Sequence, residues 1–442
     1  MPEPFGAALR PIQAFFGTEA ASGVVLLACA VAALAWVNVL GPASHRALFD
    51  LPLEFRLGGL RARFTLASLV DDGLMTIFFF LVGMEIKREL VLGELRERSQ
   101  AVLPAIAALG GMLLPATIFL ALNHGRAGQP GWGIPTATDI AFCVGVLTLL
   151  RRRVPQALVV FVTALAIFDD IGGIVVIALF YGGALHPGWL AAAVGLVPVL
   201  ALLSRRCVQA ASAYGVVGAM LWWALHAGGI HPAIAGVVLG LAVPARAPSA
   251  PREVLRALAE RASAHLAARP DAAGDAEALL ALGERVREHE APLDRFIRRL
   301  HPWVAFGIMP LFALANSGVD LRSFRAEHGI GRVAIGTALA LFLGKQAGIF
   351  TFTLAATALG VARIPGGASR VKLLGVSMVA GIGFTVALFI AALAYPGRAD
   401  LLDEAKLGIL AGSLVAGLAG TALLRCTGPV RSDPLSAEGA PR

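Results

Sequence analysis

Cysteine and charge are both scarce in this chain. Its four cysteines, Cys29, Cys143, Cys207 and Cys426, are scattered and form no CxxC pair. No disulfide framework is implied, and they read as small apolar residues. Charged residues make up 15% of the 442, where a soluble domain carries about 25%. Histidine is sparse too. His124, His186, His226, His231 and His301 fall at the ends of apolar runs, not inside them. That counts against a haem or metal redox subunit and leaves them as caps or loop residues.

What is abundant is apolar length. Hydrophobic residues are 57% of the chain, and many runs approach the roughly 20 residues that cross a bilayer. Fifty glycines suit closely packed or broken membrane helices. The pattern predicts an all-α polytopic membrane protein, one transporter domain over 1–442, with about twelve transmembrane helices. They lie at roughly 19–40, 66–90, 101–122, 131–150, 155–181, 187–203, 208–226, 230–243, 302–318, 330–357, 370–394 and 402–424. The first is expected to be an uncleaved span and not a signal peptide. Trp132, Trp189 and Trp303 read as interfacial anchors. Residues 244–300 form a long polar segment, opened by Pro244, Pro248 and Pro251, that links spans 8 and 9.

The basic residues set orientation. With the N-terminus inside and strict alternation, 26 of the 37 Lys and Arg fall on the inner side. That asymmetry predicts cytoplasmic N- and C-termini and a cytoplasmic 244–300 linker. The net charge of +8 is thus a topology signal, and no nucleic-acid partner is expected. The exception is the outer segment before Leu66, with Arg46, Arg56, Arg61 and Arg63. Residues 53–64 alternate around Gly58-Gly59, a strong hairpin signal. The expected register pairs Leu57 with Leu60, Phe55 with Ala62 and Leu53 with Phe64, and Arg56 with Arg61 and Glu54 with Arg63 on the other face. A lone two-stranded hairpin is marginal in water, so a homodimer through this periplasmic hairpin is expected.

A few charges remain inside the spans. Asp169 and Asp170 are the sole charged residues of the run 158–180. An acid at bilayer depth costs roughly 3 kcal/mol by insertion scales, so a pair is hard to explain by packing. Asp139 and Lys345 sit at the same depth in spans 4 and 10. Asp71, Asp72 and Glu85 lie nearer span ends. Span 4 carries Gly133-Ile-Pro-Thr-Ala-Thr-Asp139 and span 11 carries Gly381-Ile-Gly-Phe-Thr385, both helix-breaking. Irregular backbone at this depth is tolerated where it is buried or lines a wet cavity, and matched breaks point to a transporter site.

Spans 3–5 and 10–12 run in opposite senses and are expected to be inverted repeats, with the interrupted helices 4 and 11 crossing. Positive half-helix ends would then favour Asp139 and negative ends Lys345. Adjacent residues differ by about 100° around a helix. One of Asp169 and Asp170 is therefore expected to pair with Lys345 while the other faces the cavity. Thr138 supplies a hydroxyl beside Asp139. Such a site can hold a proton and release it when a hard cation arrives on its oxygens. The residues point to proton-coupled cation exchange by alternating access. An intramembrane aspartyl protease is a weaker reading, because its Tyr-Asp and Gly-x-Gly-Asp motifs are missing. A passive channel is weaker too, because it has no use for a lysine and paired acids.

Six pieces carry a specific resemblance. They are residues 72–90 (from Asp72-Gly-Leu-Met through Glu85-Ile-Lys-Arg-Glu-Leu90), Ala137-Thr-Asp-Ile-Ala-Phe142, Ala164-Leu-Ala-Ile-Phe-Asp-Asp170, Leu300-His-Pro-Trp-Val-Ala305, Gly344-Lys345 and Gly381-Ile-Gly-Phe-Thr385. Together they resemble the NhaA-type sodium/proton antiporters of bacterial inner membranes over nearly the whole chain. The resemblance implies twelve helices with the fourth and eleventh interrupted and crossed. It assigns Asp170 to the principal sodium carboxylate and Asp169 to its lysine-linked neighbour, with Na+ or Li+ as the transported metal. Thr138, Asp139, Lys345, Gly381 and Gly383 become supports, and Asp72 and Glu85 line the periplasmic and cytoplasmic funnels. It implies electrogenic exchange of Na+ or Li+ for H+, activation at alkaline pH, service in sodium and pH homeostasis, a homodimer, and no cofactor or enzymatic activity. Two departures stand out. Asp294-Arg-Phe-Ile-Arg-Arg299 lacks the Glu and His expected there, and Gln346 replaces a proline after Lys345.

Overall fold

The computed structural model describes residues 19–57, 60–208, 210–245, 291–322 and 331–429, with 256, 259, 260 and 263. The Gly58-Gly59 turn, most of the 244–300 segment and both extreme termini lie outside the described residues. Among these, eight helices are long and apolar enough to cross a membrane, or nine if the bent pair Arg370–Val379 and Phe384–Ala394 counts as one span. The twelve expected spans are therefore not all met by length and composition. The seventh, Ala211–Gly228, has 18 residues and is not among the helices that qualify, and the eighth is an apolar helix of only ten residues, Ala233–Ala242, about 15 Å long. The ninth is divided among Pro292–Trp303, whose face is strongly polar, a π-type turn over Val304–Ile308, and Met309–Asn316.

The chain divides into two compact units. The first comprises Met1–Asp71, Glu97–Tyr181 and Ile308–Arg442. Its helices pack through glycines. Gly344 and Gly348 lie one turn apart, so both face the same neighbour. A Cβ on Gly348 would collide with the Gly110 carbonyl, and one on Gly344 would come within 2.8 Å of Pro115 Cα. Arg98–Asn123 and Lys345–Ala358 therefore touch backbone to backbone. Gly408 and Gly412 of Ala399–Cys426 make a similar approach to Ala334 and Ala338 of Arg332–Leu339.

The same unit holds the hairpin. Strands β1 (Pro52–Leu57) and β2 (Leu60–Thr65) pair antiparallel in the expected register, Leu57 opposite Leu60 through Leu53 opposite Phe64. Arg63 and Glu54 form a cross-strand ion pair at 2.8 Å. Thr65 ends the strand and caps the next helix, exchanging bonds with Ser68 in both directions (3.1 and 2.9 Å).

The second unit comprises Asp72–Arg96 and Gly182–Gly307. Its centre is the packing of Met75–Val91 on Ala233–Ala242. Gly236 and Gly240 face the carbonyls of Thr76 and Phe80, and Gly83 faces that of Val237. Lys87 then donates to the carbonyls of Leu241 (2.8 Å) and Val243 (2.6 Å). A lysine at a helix C-terminus satisfies orphan carbonyls and opposes the dipole. Arg88 pairs with Asp294 at 3.1 Å.

Candidate functional site

Span 4 is broken as its sequence requires. Gln129–Thr136 is a tight 3₁₀ stretch, residues 137–139 are not helical, and Ile140–Leu149 resumes the helix. Pro135 has no N–H to give. Span 11 stops at Val379 and restarts at Phe384, bent by 48°. The two breaks satisfy each other. The Asp139 N–H donates to the Ile382 carbonyl at 2.7 Å. Cys143 Sγ donates to the Val379 carbonyl at 3.1 Å. Gly383 and Gly381 permit this approach, since a Cβ on them would sit 2.9 Å from the Ala137 carbonyl and 2.8 Å from the Leu341 carbonyl. The Gly383 N–H donates to Ser413 Oγ at 3.3 Å.

Asp139 stands at two helix starts at once. Its Oδ1 accepts from the Phe142 N–H (3.2 Å), capping its own helix. Its Oδ2 accepts from the Thr385 N–H (3.1 Å) and the Thr385 hydroxyl (2.5 Å). Partial positive charge at both N-termini stabilises one carboxylate without a cation.

Asp169 and Asp170 lie on Gln156–Phe180, 1% and 7% exposed. Asp169 Oδ2 meets Lys345 Nζ at 2.7 Å and accepts the Thr138 hydroxyl at 2.6 Å. Thr138 Oγ1 also lies 3.2 Å from the Ala380 carbonyl, but it has one proton and the shorter contact takes it. Lys345, wholly buried, also donates to the Thr136 carbonyl, at the C-terminal end of the 3₁₀ stretch. Asp169 Oδ1 is buried with no hydrogen-bond partner among the described residues. Asp170 points about 100° further round the helix. The structure thus brings Thr138, Asp139, Asp169, Lys345, Gly381 and Gly383 together, with Asp170 next in the chain.

Asp72 and Glu85 belong to the second unit. Asp72 Oδ1 lies 3.4 Å from His231 Nε2. Its carbonyl accepts from the Thr76 hydroxyl (2.5 Å) and Trp222 Nε1 (3.3 Å). Glu85 is half-buried on Met75–Val91.

Sequence reasoning missed several partners. Thr385 closes the motif Gly381-Ile-Gly-Phe-Thr385, and the motif alone gives it no task. Its place two residues after Gly383, in the first turn of the helix that restarts at Phe384, is that of a helix-start hydroxyl, which is the signal that could have found it. Ser413 and the carbonyls of Thr136 and Ile382 carry no sequence signal. His231 was read as a cap. It does accept from the Ala233 N–H (3.3 Å), but its other nitrogen faces Asp72.

Eight or nine apolar spans among the described residues make a multi-pass membrane protein, and the charged residues buried where two of them break are those of an ion carrier, not of an enzyme. Comparison with known proteins narrows the class. Residues 13–424 match the family model described as Na+/H+ antiporter 1. Among relatives, Na+/H+ antiporter NhaA of Anaeromyxobacter sp. strain Fw109-5 is 63% identical, covering 97% of this chain and 94% of its own. NhaA 1 of Myxococcus xanthus is 53% identical over 96% and 95%. NhaA 2 of Pseudomonas syringae is 42% identical over 95% of each. In fold alone, the chain is similar to the sodium proton antiporter MjNhaP1 of Methanocaldococcus jannaschii, with a TM-score of 0.55 at 14% identity, over 95% and 99% of the two chains. The chain belongs to the NhaA-type Na+/H+ antiporter family and is a secondary transporter that exchanges sodium for protons across a membrane.

Proposed function

We propose that this chain extrudes Na+, and Li+ as well, in exchange for H+ by alternating access, and that Asp170 and Asp169 are the carboxylates that cation and proton share. The observation that carries the reading is the division of labour in the pair. Asp169 is tied to Lys345 and Thr138 through one oxygen, while its other oxygen is buried without a hydrogen-bond partner among the described residues. Asp170 belongs to the same buried turn with a different direction. A cation reaching Asp170 competes with a proton for it and, by its charge, with Lys345 for Asp169. Loss of either proton or cation resets the pair. Exposure of this one site first to one side and then to the other couples the two fluxes.

The structural setting we propose is twelve spans with 3–5 and 10–12 as inverted repeats. All six of those spans belong to the first unit, and the middle member of each triplet is the broken one. Asp139 and the glycines of span 11 hold the breaks open, and Asp72 and Glu85 line the approaches from the two sides. The protein sits in the bacterial inner membrane with both termini and the 244–300 linker in the cytoplasm. It pairs through the 53–64 hairpin and serves sodium and pH homeostasis, without a cofactor.

Proteoliposomes with a trapped pH-sensitive dye test this. Wild-type protein is expected to collapse a preset pH gradient on addition of NaCl or LiCl. Asp170→Asn, which keeps shape and removes the charge, is expected to abolish the response while the protein still inserts. A full sodium response from Asp170→Asn would remove the carboxylate from the ion site.

A further inference from the structure

A second charged constellation lies away from the transport site and is left unused by it. Arg151, Arg152 and Arg153 fill the turn that follows Ile140–Leu149, and Arg425 stands in the last turn of Ala399–Cys426. The four arginines, with Leu149 and Leu150, line one pocket of about 330 Å³. That is within the range of small-ligand sites, about 300–1,000 Å³.

The turn is not a loose loop. Three of its backbone N–H groups are bonded, from Arg151 to the Thr148 carbonyl (3.3 Å), from Arg153 to Leu150 (2.8 Å) and from Val154 to Leu150 (3.2 Å). Arg153 Nη1 then reaches the Thr427 carbonyl at 3.1 Å, tying together segments 274 residues apart. No carboxylate pairs with any of the four arginines among the described residues. A topology signal explains cations on this side of the membrane. It does not explain why two distant segments bring theirs to one pocket, where they repel. The C-terminal ends of two helices offset part of that repulsion, but only a few tenths of a charge each.

From this we infer that the Arg151–Arg153/Arg425 pocket binds the phosphodiester headgroup of an anionic phospholipid. Guanidinium forks match phosphate oxygens, and basic pockets at the cytoplasmic ends of membrane helices suit acidic lipid heads. Leu149 decides between a lipid and a free phosphate. It is 74% exposed beside the arginines, at the end of an apolar helix, where an acyl chain would cover it. A soluble anion has no use for such a surface. Bound there, the lipid pins the turn after the broken span 4 to the end of the last helix, adding to the Arg153–Thr427 bond.

The test uses delipidated, detergent-solubilised full-length protein, with bound lipid counted by native mass spectrometry and protection read as a thermal shift. Dioleoylphosphatidylglycerol is expected to bind and raise the melting temperature, dioleoylphosphatidylcholine to do neither at the same concentration, and inorganic phosphate to give little. Each arginine changed to glutamine is expected to weaken phosphatidylglycerol binding about fivefold, so Arg151→Gln/Arg152→Gln/Arg425→Gln loses it almost entirely. Arg96→Gln/Arg98→Gln, a comparable charge loss elsewhere, is expected to leave it unchanged. If the triple variant does not fold, single Arg152→Gln and Arg425→Gln carry the reading. Unchanged phosphatidylglycerol affinity in these variants would overturn the proposal. Equal protection by phosphate alone would overturn the lipid assignment and leave a free-anion site.

Discussion

Lys345 is a full charge with no access to water, and two contacts make that tolerable. Asp169 supplies the counter-charge and the Thr136 carbonyl supplies an acceptor. Removing one member of a buried ion pair typically costs 3–5 kcal/mol, because the other is left uncompensated. Lys345→Ala is therefore expected to lower unfolding stability by about 3 kcal/mol or more, and Lys345→Ala/Asp169→Ala to recover part of it. Thermal unfolding in detergent, alongside transport rate, reads both. Lost transport at unchanged stability would make the lysine a proton carrier and not a support. Asp169, Asp170 and Lys345 were legible in the sequence for a simple reason. Charge inside an apolar run is costly enough to be kept only for a task. Their partners were not legible in the same way. Every residue has a carbonyl, so nothing marks Thr136 or Ile382 in advance, and Thr385 is one of many threonines in the membrane.

Among elements, the backbone contact between Arg98–Asn123 and Lys345–Ala358 fixes where the lysine begins. Gly348 meets main chain, which cannot swing aside as a side chain can. Gly348→Leu is expected to push the two helices apart, cost about 2 kcal/mol or more, and slow transport through the displaced Lys345. Gly215→Ala is the contrast. It sits in Ala211–Gly228, where a Cβ would meet nothing within 4 Å, and it is expected to be neutral or to stabilise by up to about 1 kcal/mol. Circular-dichroism melts of the two variants separate crowding from helix propensity. At this scale the breaks in spans 4 and 11 could be read from Pro135 and the Gly381/Gly383 pair. The lengths of Ala233–Ala242 and of the divided helix before Asn316 could not. An apolar run announces burial, but not whether the helix within it is long enough to cross.

At the scale of the molecule, the hairpin is the element whose sequence pattern needed least help. A Gly-Gly turn with period-two alternation admits one register, and that register is found. Its partner is a different matter, because a two-stranded sheet has two outer edges and one chain cannot say what meets them. Deleting residues 53–64 is expected to convert the protein from dimer to monomer in detergent, by light scattering, and to leave sodium-dependent proton flux in proteoliposomes measurable. An unchanged dimer would return the hairpin to a role within its own chain.

The reciprocal bonding of the two breaks has a consequence for how the protein is made. Asp139 accepts from Thr385, 246 residues later in the chain, and its own N–H needs Ile382. Until the ribosome has delivered span 11 to the bilayer, span 4 holds an unsatisfied Asp139 N–H and an acid with only one of its two oxygens bonded. Span 4 must therefore enter as a provisional guest, wet or held by the insertion machinery, and take its final form only when almost the whole chain has been synthesised.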